Sequence, residues 1–104
     1  MTFKWVLAAD GLWNGEMKQV VVAGQKILLV RLDNTIHAYE DRCAHKAMAL
    51  SEGTLAGHVL TCPAHHWQYD VRSGHGLNPQ TARLKTVAVR LGADGIFVDA
   101  EGSQ

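Results

Sequence analysis

Two short segments carry the only two cysteines of the chain: Cys43-Ala44-His45 and Cys62-Pro63-Ala64-His65. Each offers one thiolate and one imidazole, and two thiolates with two imidazoles can hold iron or zinc. The order of the donors narrows the chemistry. Structural zinc modules usually pair cysteine with cysteine and histidine with histidine, whereas here each loop mixes the two, with sixteen residues between His45 and Cys62. If each loop gives one ligand to each of two irons, one iron takes Cys43 and Cys62 and the other takes His45 and His65. Zinc at the same four residues is the competing reading. Taken singly, a buried cysteine is an apolar filler and a histidine a solvated surface group, so the pairing of the two loops carries the signal. His66, adjacent to His65, competes with it as a donor.

The paired motif resembles that of the Rieske [2Fe–2S] family, in which two histidines replace two cysteines on one iron. The family spacing Cys-x-x-His favours His65 over His66. The resemblance covers the whole chain and implies an all-β fold: a Rieske-type antiparallel β-sandwich, one domain over residues 1–104, with an inserted cluster-binding subdomain at roughly 41–82. It implies one [2Fe–2S] cluster, with no catalytic residue on this chain. Respiratory members add a disulfide between the cluster loops; Met48 and Ala64 stand at those positions here, so that bridge is impossible. High-potential members place a serine five residues and a tyrosine seven residues after the second cysteine. Here the positions are Trp67 and Tyr69, leaving one hydroxyl donor and implying a low potential. Within Ser73-Gly-His-Gly-Leu-Asn-Pro79, Pro79 is assigned to a loop covering one side of the cluster.

Gly74-His-Gly-Leu-Asn-Pro79, Leu12-Trp-Asn-Gly-Glu-Met17, Leu50-Ser-Glu-Gly53 and Trp67 look like the ferredoxins of toluene-type soluble di-iron monooxygenases. That implies a shuttle between an NADH-dependent flavin reductase and a terminal oxygenase, a di-iron hydroxylase acting on a hydrocarbon. Pro63 and Tyr69 depart toward the dioxygenase large subunits, so a ring-hydroxylating dioxygenase ferredoxin is the alternative. Lys46, Ala47, Met48, His66, Trp67 and Pro79 are candidates for a small docking face around the histidine edge, suited to transient contacts. A monomer is expected.

The ligand set has a physical rationale. Four thiolates load a cluster with negative charge before it accepts an electron; two neutral imidazoles leave the oxidised site near neutral and make reduction easier. Rieske centres accordingly span about −150 to +300 mV, against about −400 mV for plant-type clusters.

The elements that position these loops read as short strands. Phe3–Leu7, Lys18–Val22, Ile27–Leu32 and Thr35–Glu40 are predicted strands, with turns at Ala23-Gly24 and Asp33-Asn34. Ile36 and Ala38 alternate against Thr35, His37 and Tyr39. A final hairpin turns at Gly92–Gly95, with Val87, Val89 and Leu91 on one face and Ile96–Asp99 returning. Asp10–Glu16 has room for one helical turn and no more. Gly53, Gly57, Gly74 and Gly76 are candidates for close approach or positive φ near the cluster.

With 104 residues and 47% apolar content, the chain can bury one modest core. It leaves no second constellation of two histidines and a carboxylate for oxygen activation. Ten basic and ten acidic side chains cancel, and no basic stripe suggests nucleic acid. The N-terminus lacks a signal-peptide core and no apolar run spans a bilayer, so a cytoplasmic protein without membrane attachment is expected.

Overall fold

The computed structural model describes residues 3–43, 48–63 and 66–99. Among them the regular structure is strand, apart from a short 3-10 turn at Leu50–Glu52. The strands are β1 (Lys4–Leu7), β2 (Met17–Val22), β3 (Gln25–Leu32), β4 (Thr35–Glu40), β5 (Thr54–Ala56), β6 (Val59–Thr61), β7 (Gln68–Asp70), β8 (His75–Asn78), β9 (Ala88–Gly92) and β10 (Gly95–Asp99). They form three antiparallel sheets, β1-β10-β9, β2-β3-β4 and β5-β6-β7-β8.

The first two hairpins follow from their turn residues. Ala23 and Gly24 have φ of 52° and 80°, and Asp33 and Asn34 have 50° and 66°. Two successive positive φ values are those of the type I′ turn, whose twist matches that of the flanking strands. The stretch from Asp10 to Glu16 is not helical: one turn closes from the Gly11 N–H to the Ala8 carbonyl and a second from the Glu16 N–H to the Trp13 carbonyl.

The β2-β3-β4 sheet is the middle layer. Ile27-Leu28-Leu29-Val30 of β3 is buried on both faces, and a doubly covered strand reads as a continuous apolar run. Ile27, Leu29, Ile36 and Ala38 pack on Val87, Ile96 and Val98. Leu28, Val30 and Tyr39 face the other way, toward Leu60, Tyr69 and Val71. The alternation in β4 therefore separates two buried faces: Tyr39, grouped by the pattern with the polar side, is 2% exposed because the third sheet covers it. Val87 is buried and Val89 half-buried, but Leu91, expected on the same face, emerges at the sheet end.

Residues 82–87 stitch the layers together. The Gly76 N–H donates to the Ala82 carbonyl and the Leu84 N–H to the Gly74 carbonyl, along β8. The Glu40 N–H then donates to the Lys85 carbonyl and the Val87 N–H to the Ala38 carbonyl, along β4.

Candidate metal centre

Cys43 follows β4 and Cys62 follows β6, and both loops close by the same device. The Cys43 N–H donates to the Met48 carbonyl (2.9 Å) and the Cys62 N–H to the Trp67 carbonyl (2.7 Å). In each case the amide of a cysteine is tied to the carbonyl five residues on, so each loop leaves and re-enters the fold at one point.

Both cysteines are buried, at 2% and 0% exposure, and they share a cluster with Leu28, Leu60, Tyr69 and Leu84. The Tyr69 hydroxyl lies 3.3 Å from Cys43 Sγ. A thiolate bound to metal only accepts, so the phenol is the donor in that state. Two buried cysteines in one apolar cluster, with a hydroxyl on one sulfur, suit the thiolate half of an iron–sulfur ligand set. His45, His65, Lys46 and Ala47 lie outside the described residues.

The third sheet brings the other parts to one end. Its register pairs Thr54 with Thr61, Thr61 with Gln68 and Gln68 with Asn78. Gly53, Cys62, Trp67 and Pro79 each adjoin one of these residues, so all four sit at the same sheet end. Trp67 is half-buried against the core that contains both cysteines. Pro79 is half-buried behind a cis peptide bond with Asn78, and its carbonyl accepts the Ala82 N–H. Met48 is also half-buried, with its carbonyl engaged by Cys43. His66 is exposed at φ 56° and lines a cavity of about 240 Å³ with Gly53, Thr61, Cys62 and Pro63.

Two glycines are dictated by crowding here. A Cβ on Gly53 would stand 2.1 Å from the Thr61 carbonyl oxygen, and one on Gly76 would stand 2.2 Å from the Pro79 carbonyl oxygen.

Asp41 went unnoticed in the sequence. It is 5% exposed, and its carboxylate accepts from the Ser51 N–H (2.8 Å), the Ser51 hydroxyl (2.6 Å) and the Gln19 amide. Its own N–H donates to the Lys26 carbonyl. The residue thus clasps the stem of the Cys43 loop to the 3-10 turn and to β2. The only hint in the chain is an acid between a strand and a candidate ligand, which needs the distant Ser51 and Gln19 to acquire meaning.

Asp70, at the far end of β7, is held down to about pKa 2, chiefly by the hydrogen bond from the Arg72 side chain, whose nitrogens reach both carboxylate oxygens. Tyr39 donates to the Val71 carbonyl at 2.7 Å and is pushed up to about 12 by burial, with the Asp70 charge adding to the effect. Burial lowers His37, against the opposing pull of Asp70.

A family model described as the Rieske [2Fe-2S] domain matches residues 2–88. The chain is 36% identical over 97 residues to the ferredoxin component of an alkene monooxygenase system from Xanthobacter autotrophicus, covering 92% of this chain and 80% of that protein. It is 31% identical over 102 residues to the ferredoxin component of a naphthalene 1,2-dioxygenase system from Pseudomonas aeruginosa, covering 95% and 98%. Among solved structures, a complex of reduced oxygenase and oxidised ferredoxin in carbazole 1,9a-dioxygenase matches with TM-score 0.83 and 31% identity, over 92% of this chain and 91% of that one. The ferredoxin of carbazole 1,9a-dioxygenase from Nocardioides aromaticivorans matches with TM-score 0.83 and 25% identity, over 94% and 97%.

Proposed function

The chain belongs to the Rieske [2Fe-2S] family, and from that premise we propose that it carries single electrons from an NADH-dependent flavin reductase to the hydroxylase of a multicomponent di-iron hydrocarbon monooxygenase. It is a ferredoxin component of an oxygenase system and not the oxygenase itself. The observation that carries the reading is the similarity to the alkene monooxygenase ferredoxin over 92% of the chain, with both cysteines buried in one apolar cluster. The naphthalene and carbazole dioxygenase ferredoxins support the second reading, a ring-hydroxylating dioxygenase as acceptor.

When bound, the [2Fe–2S] cluster takes up and releases one electron. Cys43 and Cys62 would hold one iron, and His45 and His65 the other, within the subdomain at roughly 41–82. The chain's own contribution is to fix and shield the donors. The Cys43–Met48 and Cys62–Trp67 hydrogen bonds pin the loop stems, and Asp41 anchors the first of them. Leu28, Leu60 and Leu84 keep water from the sulfurs. The Tyr69 O–H on Cys43 Sγ stabilises the more electron-rich state. Lys46, Met48, His66, Trp67 and Pro79 would supply the docking face. The same reading takes the protein as a cytoplasmic monomer. Among the described residues no helix is long and apolar enough to cross a membrane.

The test is a redox titration followed by electron paramagnetic resonance, then reconstitution with a di-iron hydroxylase and with a ring-hydroxylating dioxygenase. A Rieske signal with a midpoint near about −150 mV is expected, with turnover supported through the di-iron partner. A strongly positive midpoint would indicate a quinol-linked role. No signal from folded, metal-loaded protein would favour zinc, and turnover with the dioxygenase alone would select the second reading.

A further inference from the structure

The formal neutrality of the chain conceals a local imbalance beside Cys43. A groove of about 390 Å³ is lined by Glu40, Arg42, Cys43, Arg83, Leu84 and Lys85. Three cations face one carboxylate, and that carboxylate is already loosely engaged: Lys85 Nζ stands 3.7 Å from Glu40 Oε2, with the lysine side chain 60% exposed. The Arg83 guanidinium contacts only the Nε2 of His75, at 3.3 Å, among the described residues, and no carboxylate there pairs with Arg42. Asp41, next in sequence, is buried and spent on Ser51 and Gln19. A second groove shares Glu40 and Arg42 and adds Lys26 and Asp41, so its charges balance and the imbalance is confined to the first.

Two acids lie far from this groove. Glu16 and Asp33 sit at the opposite end of the middle sheet, where the Gly15 N–H donates to the Arg31 carbonyl and Asn14 accepts the Asp33 N–H. The Trp13 N–H holds the Glu16 carboxylate there. The groove is thus locally positive within a chain of zero formal charge. Charge arranged this way orients an approaching partner even when the total vanishes.

We propose that the groove at Arg42, Arg83 and Lys85 docks a carboxylate-bearing face of the redox partner protein. The proposal rests on the electron-carrier reading and deepens it by specifying the chemistry of the partner's contact surface. Cys43 in the groove wall places the docked surface next to a candidate ligand.

The test uses small charged reagents on the intact, cluster-loaded protein. Reduced protein gives one electron to ferricyanide, forming ferrocyanide, or to hexaamminecobalt(III), forming the cobalt(II) ion. Oxidation by the trianion is expected to slow about tenfold between roughly 0.01 and 0.15 M salt, as the screening length shrinks, while oxidation by the trication does not slow. The Arg83→Glu/Lys85→Glu variant is expected to reverse this order, and Arg83→Gln/Lys85→Gln to flatten it. In parallel, the redox-inert hexacyanocobaltate(III) is expected to shift the side-chain resonances of Arg83 and Lys85 at low salt and to be displaced by oligoglutamate.

Identical salt dependence in wild type and both variants would overturn the proposal. So would displacement of hexacyanocobaltate by millimolar phosphate but not by oligoglutamate, which would mark a small-anion pocket. If neither oxidant draws an electron, the carrier reading fails and takes the proposal with it; the hexacyanocobaltate map, independent of redox chemistry, distinguishes that failure from loss of the groove alone.

Discussion

At the residue scale, the contact between Tyr69 and Cys43 links the fold most directly to electron affinity. A hydrogen bond from the phenol strengthens as the sulfur becomes more electron-rich. Tyr69→Phe should lower the midpoint potential, and each ~1 kcal/mol of lost differential stabilisation corresponds to roughly 40 mV. A redox titration of the variant with its cluster content unchanged is the check; an unmoved midpoint would show that Tyr69 only packs. The spacing seven residues after the second cysteine marked Tyr69 in advance. Its partner was not legible, because Cys43 is twenty-six positions away and on a different loop.

At the element scale, the third sheet is built for close approach at one end and for charge pairing at the other. Gly53 admits the Thr61 carbonyl where a Cβ has no room, so Gly53→Ala should destabilise by about 1–3 kcal/mol, the usual cost of overpacking. Urea denaturation with an unchanged slope would show it as a lower midpoint. At the other end, Asp70 accepts from Arg72 and has a depressed pKa of about 2. Because its folded value lies below the ordinary carboxylate value of 3.8, its contribution is complete above that value and is lost as the pH falls toward 2. Asp70→Asn should therefore flatten the acid limb of the stability profile between about pH 4 and 2, measured by fluorescence-detected unfolding. The short strands of this sheet escaped the period-2 pattern. Three-residue strands such as β5, β6 and β7 hold too few alternations to distinguish from loop.

At the scale of the whole molecule, a middle sheet covered on both faces holds the layers together, and Tyr39 is the polar tie between two of them. Its hydroxyl donates to the Val71 carbonyl from within the buried face. Tyr39→Phe should cost about 1–3 kcal/mol by leaving that carbonyl unsatisfied. The wild-type phenol has a raised folded pKa of about 12 against an ordinary 10. Its contribution is thus complete below pH 10 and is lost as the pH rises through about 12, so the same variant should lose part of its alkaline unfolding slope. Circular dichroism against urea at pH 7 and across pH 9–12 tests both effects.

The sequence by itself determined the donor types, their interleaved order, the long strands and the positions of the two turns that join them, because these depend on neighbours within a few residues. Ala23-Gly24 and Asp33-Asn34 encode their own backbone geometry, and β4 carries its alternation whatever lies across from it. Only the tertiary structure decided that both faces of β4 are buried, that Asp41 clasps the first ligand loop to Ser51 and Gln19, and that three cations from distant segments converge beside Cys43. Those outcomes depend on which surfaces meet across long loops, and a one-dimensional pattern of polarity does not contain that pairing.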